Sequence, residues 1–455
     1  MILAKRLILI VVCTLVGLLN GYAVEVDNCV AGTLSLLVDD KDATELVVKG
    51  EIDARDLKFI ASQLDALQTL DLSGAKIMPC KLTEPCFSDV CSYAENHLPD
   101  YCFIGKEYIS VKLPAELSSI GEGAFAGCKQ IKTIELPSTI ISVGRYAFSG
   151  CDARDRVTLE ANVKSVGDGA FMRCVGMKWV SLNRLSIDCE MGERVFADCV
   201  ALDTVHLGAS VKTIPAGTFS GCESLKALCY EHPSMLESVG EEAFASTSIP
   251  NFEMSYFSKL TTIGDWAFMG TNSSRIALSE GVTTIGEGAF FASGNLARVK
   301  LPSTVTEIGR YAFACDTALT SMSALSTEVP LLGEDVWFGV DQSAVTLGVP
   351  IDCVELYRAA DQWCEFNIVG EASGVDNIVA SFDCKAYFVG ETLVINANRD
   401  IEMVELYDIK GMRCVMVSPQ SVSASIDMSG YQSNVYVALM KFAGNITKTI
   451  KLIKQ

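Results

Sequence analysis

The sequence predicts a mostly β repeat protein (α+β once its helical caps are counted), in which about 11 coils of 22–25 residues stack into a right-handed solenoid. Three observations carry this prediction. A nine-residue template recurs along the chain, and short alternating apolar segments separate its copies. The composition, 49% hydrophobic and 20% charged, supports a buried core and excludes a wholly disordered chain. We expect a cap at each end of the solenoid and a small β-sandwich after it.

Residues 1–23 predict a secretory signal peptide that is cleaved near Ala23. Lys5 and Arg6 precede an apolar run, and small residues stand at the two positions that a signal peptidase reads. The apolar run is too short to cross a bilayer, and no later run reaches about eighteen residues. We therefore expect a mature chain without a transmembrane segment; an uncleaved membrane anchor is the alternative.

Residues 24–77 predict an N-terminal cap and a first coil. A strand leads into a helix whose N-cap is Asp53, and an LDLS segment then begins the coil. The apolar face of this helix is formed by Leu57, Ile60, Ala61 and Leu64. Residues 78–102 form a cysteine-rich insertion that has no periodicity.

Residues 103–350 hold the repeats. The copies IGEGAFAGC (120–128) and IGEGAFFAS (285–293) show the template, whose phenylalanine recurs every 22–25 residues. The predicted aromatic anchors are Phe103, Phe125, Phe148, Phe171, Phe196, Phe219, Phe244, Phe268, Phe290, Phe313 and Phe338. A period of this length is typical of a leucine-rich-repeat solenoid.

Each period also contains a short strand. In Val157-Thr158-Leu159 and Val205-His206-Leu207, two apolar side chains point inward and the residue between them points outward. A single coil cannot bury its own apolar face, so neighbouring coils should stack about 4.8 Å apart and pair their strands in parallel. The glycine of each Ile-Gly pair suits a tight turn.

The pattern changes after the last repeat. Residues 351–370 predict a C-terminal cap built on an amphipathic helix over Asp352–Trp363. Residues 370–374 form a linker, and residues 371–455 predict a β-sandwich because alternating segments such as TLVINA and NVYVALMKF follow one another closely.

The pattern LP-x-x-V-x-x-IG-x-x-AF-x-x-C, over about residues 67–350, resembles the BspA-like branch of bacterial leucine-rich-repeat surface proteins. Residues 46–77 resemble the N-terminal cap of such proteins. The resemblance implies a secreted or outer-membrane-associated surface protein of a Gram-negative bacterium. It also implies a non-enzymatic adhesion role toward a host or neighbouring bacterial protein.

The C-terminal region resembles the sorting domains associated with type IX secretion. Leu406, Tyr407, Asp408 and Gly411 match the turn that is usual in those domains, whereas Asn434 replaces a usual glycine. A plain structural β-domain is the alternative.

The cysteines fall into two groups. Five of them follow an anchor phenylalanine by three residues, and we expect them to be small buried side chains: Cys128, Cys151, Cys174, Cys199 and Cys222. The other group, in the insertion, predicts a disulfide staple with three pairings open: Cys80, Cys86, Cys91 and Cys102. A zinc site is the rival, but the spacing lacks the close pair that binds zinc.

The sequence offers no motif for catalysis. It contains no HExxH, G-x-S-x-G, phosphate-binding G-x-x-x-x-G-K or C-x-x-C, and only three histidines. A net charge of −20 argues against nucleic-acid binding. We therefore predict no enzyme activity, cofactor or metal.

The outward residues of consecutive strands should form rows on the concave face, where solenoids bind. The candidate binding residues in these rows are Glu135, Arg156, Trp179, His206, Arg275, Arg298 and Lys300. A tryptophan beside an arginine is typical of a protein-binding hot spot, although an exposed indole also suits a sugar ring. The basic cluster of Arg275, Arg298 and Lys300 suits an acidic partner segment. The expected partner is an extracellular or surface protein, with a glycan as the alternative.

Overall fold

The computed structural model describes residues 23–133, 135–152, 156–230, 234–254, 257–371, 384–389, 391–408, 413–431, 435–442 and 446–454. The predicted signal peptide lies outside these residues except for Ala23, and so do Gly411 and Asn434 of the sorting-domain resemblance. The chain divides into two compact units, Met1–Glu371 and Ala372–Gln455. Each is described by itself below.

The first unit begins with parallel strands at Ala23–Cys29, Glu45–Ile52, Thr69–Ile77 and Ser110–Lys112. A 3-10 turn spans Leu34–Leu36, and helix α1 spans Ala54–Gln63.

The N-cap of helix α1 is Asp53, as predicted. The Asp53 carboxylate accepts a hydrogen bond from the backbone N–H of Arg55 at 2.8 Å, and the Asp56 carboxylate accepts one from the N–H of Asp53 at 2.9 Å. This reciprocal arrangement is a capping box, which satisfies donors that a helix start leaves unpaired. Asp56 also accepts from the N–H groups of Gly32 and Leu34, so the preceding loop is fixed to the helix.

Most coils of the solenoid contribute two described strands. The strand predicted from the alternating apolar segments forms what we call the first face. Its strands are Arg156–Thr158, Trp179–Ser181, Thr204–Leu207 and Ala227–Tyr230, and then Asn251–Glu253, Arg275–Ala277, Arg298–Leu301, Ser321–Ala324, Thr346–Pro350 and Asn367–Glu371. Strands pair in parallel within each of these two sets.

A second face, which the repeat pattern did not predict, runs along the isoleucine or valine that precedes the template glycine. Its strands are His97–Leu98, Ser119–Ile120, Ser142–Val143, Ser165–Val166 and Glu190–Met191, and then Thr213–Ile214, Ser238–Val239, Thr262–Ile263, Thr284–Ile285, Glu307–Ile308 and Leu331–Leu332. These strands also pair in parallel within each set.

The template glycine has a different role from the one expected. A Cβ on Gly167 would lie 2.4 Å from the backbone nitrogen of Arg145, one coil earlier. The glycine is therefore required where two coils approach closely, and it is not at the left-handed position of the turn. That position comes two residues later, where Tyr146 has φ 52° and Gly169 has φ 59°.

The aromatic side chains form one continuous column inside the coils. Ring centroids of successive coils are 5.0–5.7 Å apart from Phe103 to Trp337. The predicted last anchor, Phe338, is wrong, because Trp337 stacks on Phe313 while Phe338 is 62% exposed. The other predicted anchors lie in the column, and the five repeat cysteines are fully buried beside it.

The C-terminal cap is shorter in helix than expected. Helix α2 spans only Val354–Arg358, flanked by 3-10 turns at Gln342–Ala344, Ile351–Cys353 and Trp363–Glu365. The cap covers the end of the aromatic column, because Trp363 packs on the last ring with its centroid 5.6 Å from that of Trp337. Its indole N–H donates to the carbonyl of Pro330 at 3.2 Å.

The second unit is an antiparallel, sandwich-like β-structure. Its strands are Cys384–Val389, Thr392–Tyr407, Arg413–Val417, Ser421–Asp427, Val435–Phe442 and Ile446–Ile453. The long strand Thr392–Tyr407 pairs with different neighbours along its two halves. Its buried residues, including Leu393 and Val404, contribute to a separate apolar core. The predicted fold class is thus confirmed for both units.

Candidate binding face

The first face places outward residues of successive coils side by side. Arg156 lies opposite Trp179, and Trp179 lies opposite Thr204 on the following strand. In the neighbouring row, Ser181 lies opposite His206, which in turn lies opposite Cys229. This register arises because each strand keeps one outward residue between two buried ones, and coils of similar length hold equivalent positions in line.

On the first three strands of this face, Trp179 contacts two other predicted residues, Arg156 and His206. The guanidinium carbon of Arg156 lies 5.8 Å from the centroid of the Trp179 ring. The imidazole of His206 lies on the next strand, with its centroid 5.0 Å from that of Trp179 and the two rings inclined by 52°. Arg156 is exposed, whereas Trp179 and His206 are half-buried. The indole is thus held between a cation and an imidazole from the strands on either side.

The second predicted cluster lies farther along the face. Arg275 lies opposite Arg298, and Ala277 lies opposite Lys300. Among the described residues, neither Arg298 nor Lys300 has a carboxylate within ion-pair distance, and neither does Arg156. This acidic molecule therefore carries cations on its first face whose charge no described carboxylate offsets at close range.

Glu135 does not join this arrangement. It is exposed and lies outside the described strands, and none of the described strands links Ser110–Lys112 to Arg156–Thr158 on the first face. Lys112, its neighbour in the predicted row, forms an ion pair with Asp71 at 2.7 Å.

The four cysteines of the insertion are held as thiols. Burial raises the pKa of Cys86, and the thiol of Cys80 raises it further. Burial likewise raises the pKa of Cys102 well above its ordinary value, with a smaller contribution from Cys86. Cys86 therefore lies near both Cys80 and Cys102. The predicted disulfide among the four cysteines stays a prediction.

A cleft of about 330 Å³ lies away from the predicted residues, between the end of helix α1 and the first coils. Its lining residues are Asp65, Ala66, Leu67, Gln68, Glu107, Ile109 and Gln130. No sequence pattern indicated it, because its walls combine the segment after helix α1 with irregular segments of the first repeats.

In the part of the chain that the structure describes, no three histidine, cysteine or acidic side chains are grouped so as to hold a metal ion. Within the same residues, none of the helices combines the length and the apolar character needed to cross a bilayer.

A family model described as the BspA type leucine rich repeat region matches six copies, over residues 96–226 and 189–320. The match begins at residue 96, before the predicted start of the repeats, and includes the second-face strand His97–Leu98. The comparison with curated proteins gave no match.

Several solved structures are similar to the chain. A leucine-rich repeat protein from Bacteroides ovatus is 20% identical, with 72% of this chain and 88% of that chain covered and a TM-score of 0.44. A leucine rich cell surface protein from Faecalibacterium prausnitzii is 19% identical, with 66% and 87% covered and a TM-score of 0.30. The T. pallidum leucine rich repeat protein is 27% identical, with 33% and 69% covered and a TM-score of 0.29.

Proposed function

Because the chain belongs to the BspA-type leucine-rich-repeat proteins through residues 96–320, we propose that it is an exported, non-enzymatic recognition protein that binds a protein partner on its first face. The observation that carries the proposal is the contact of Trp179 with Arg156 and His206. Half-buried aromatic residues next to arginine are enriched among interface residues that dominate binding energy.

The charge of the first face supports a partner with an acidic segment. Arg156, Arg298 and Lys300 lie on a molecule of net charge −20, and no described carboxylate forms an ion pair with them. Cations held this way attract an acidic surface and raise its association rate.

Capture of a glycan through Trp179 is the second candidate, and the half-exposed indole favours it. However, neighbours approach the ring from both adjacent strands, at 5.8 Å for Arg156 and 5.0 Å for His206. Less of the ring face is therefore available for a sugar, which favours a protein partner.

We also propose that the chain is carried to the surface of a Gram-negative bacterium. The predicted signal peptide and the likeness of the second unit to type IX sorting domains support this proposal. In a host with that secretion system, deletion of residues 371–455 should leave the chain in the periplasm. Surface display of the truncated chain would contradict the sorting role.

Binding is tested by capture of proteins from host secretions on the immobilised mature chain. The variant Arg156→Ser/Trp179→Ala should capture at least tenfold less of the main partner. The matched control is Arg310→Ser/Tyr311→Ala, which removes another arginine–aromatic pair, with 4.4 Å between guanidinium carbon and ring centroid, away from the first face. Equal loss in both variants, or none in the first, would contradict the proposal, and competition by free sugars would favour the glycan.

A further inference from the structure

The row next to Trp179 contains a histidine and a cysteine whose proton-transfer and thiol chemistry the proposed binding role does not use. His206 and Cys229 occupy opposite positions on the paired strands Thr204–Leu207 and Ala227–Tyr230. Both point away from the core, and both are half-buried. Adjacent parallel strands lie about 4.8 Å apart, so the register places the imidazole beside the thiol.

The position of Cys229 sets it apart from the repeat cysteines. The five cysteines beside the aromatic column are fully buried. Burial raises the pKa of Cys128, one of them, to about 12, so it remains a thiol. Cys229 instead lies on the outward surface of the first face and is not part of a disulfide.

The imidazole of His206 is held in place from its other side. The indole of Trp179 contacts it at a centroid distance of 5.0 Å, and Ser181 lies opposite it in register. A fixed histidine beside a cysteine can accept the thiol proton and stabilise the resulting thiolate, which is the nucleophilic form.

We propose that Cys229 and His206 form a reactive thiol site that undergoes exchange with disulfides. The Cys229 thiolate attacks one sulfur of the disulfide, and a new S–S bond joins it to Cys229. The original S–S bond breaks, and the departing thiolate takes up the proton that His206 received. One disulfide is exchanged for another, so no further oxidant is needed.

The site adjoins Trp179, so a disulfide-bearing protein bound there would become covalently attached. This last step rests on the proposed function, whereas the reactivity of Cys229 does not. The two are separable because reactivity is measured on the chain alone.

The test uses oxidised glutathione at pH 7, with the adducts mapped by peptide mass spectrometry on the full chain. The control thiol is the exposed Cys364 in the C-terminal cap. Cys229 should react about tenfold faster than Cys364, and His206→Gln should remove this advantage without altering the rate at Cys364. Circular dichroism checks that the variant folds.

Two results would overturn the proposal. One is a rate at Cys229 no higher than that at Cys364. The other is an unchanged rate in folded His206→Gln, which would show an accessible thiol that the histidine does not assist.

Discussion

The thiol of Cys174 donates a hydrogen bond to the carbonyl oxygen of Phe148, one coil earlier, at a sulfur–oxygen distance of 3.3 Å. The other four repeat cysteines make the same contact with a phenylalanine carbonyl at 3.0–3.3 Å. In a later coil, the hydroxyl of Ser293 makes it to Phe268 at 3.3 Å. In these six coils, the slot after the anchor ring thus holds a small side chain that donates to the phenylalanine carbonyl of the preceding coil.

This contact predicts that the repeat cysteines are inert in the folded protein. At pH 8, iodoacetamide should modify the exposed Cys364 and spare Cys128, since burial raises the pKa of Cys128 to about 12. Cys128 should react only after denaturant unfolds the coils. Mass spectrometry of native and unfolded samples measures both, and rapid native labelling of Cys128 would show that the slot is open.

The aromatic column predicts a large difference between two phenylalanines. Phe171 is fully buried between rings whose centroids lie 5.4 Å away on each side. Phe171→Ala should lower the free energy of unfolding by about 3–5 kcal/mol. Phe338→Ala, at a site that is 62% exposed, should change it by less than about 0.5 kcal/mol. Denaturant titration followed by circular dichroism measures both, and similar losses would contradict the column.

Much of this column could be predicted from the chain, because one template recurs at nearly one period. The prediction that Phe338 is an anchor was wrong because Trp337, which is not a phenylalanine, occupies the template position in that coil. The second face escaped notice because each of its strands, such as Ser142–Val143, is two residues long and shows no alternation. Its partners come from neighbouring coils rather than from nearby sequence.

The turn geometry predicts two different costs for adding a methyl group. Gly169 has φ 59°, and a Cβ there would lie 2.5 Å from Cε1 of Tyr146, one coil earlier. Gly169→Ala should therefore destabilise the chain, and Tyr146→Ala should relieve part of the loss, leaving about 1 kcal/mol of backbone strain. The Cβ of Gly167→Ala meets a backbone nitrogen, so Tyr146→Ala should not relieve its cost.

A double-mutant cycle of denaturant unfolding tests this distinction. The coupling energy between Gly169→Ala and Tyr146→Ala should be favourable, and that between Gly167→Ala and Tyr146→Ala should be close to zero. Equal coupling energies would mean that the glycines do not differ in the way their surroundings indicate.

Asp316 predicts a pH dependence of stability. Burial raises the pKa of its carboxyl group to about 9, although a hydrogen bond from the Ser293 N–H at 2.8 Å lowers the pKa in part. The other carboxyl oxygen has no hydrogen-bond partner among the described residues. The folded chain therefore keeps a proton that the unfolded chain loses near pH 4. This group's contribution to stability is complete below about pH 4 and declines as the pH rises toward 9.

Asp316→Asn removes this titration while keeping the oxygen that accepts from Ser293. At pH 7 the variant should be more stable than the parent by a few kcal/mol, at most roughly 4. The difference should vanish near pH 4. Urea unfolding of both proteins from pH 4 to pH 8 measures it, and a difference that does not depend on pH would contradict a buried neutral carboxyl.

The binding face was predictable only in part. The strand register that aligns Arg156 with Trp179 follows from the repeat period and could be predicted from the sequence alone. The contact between Trp179 and His206 did not follow, since it joins neighbouring rows and depends on how the indole tilts. Glu135 lies outside the described strands, so its place on this face stays a prediction.

The first face and the aromatic column exist only if the coils stack in one line, and distances between spin labels test this stacking most directly. With labels incorporated as unnatural amino acids on the second face, the pair at Ser119 and Thr213 is four coils apart, and the pair at Ser119 and Glu307 is eight coils apart. Stacking at about 4.8 Å per coil predicts a separation of about 20 Å for the first pair and about 40 Å for the second. Similar distances for the two pairs, or a broad distribution for either, would contradict a single stack.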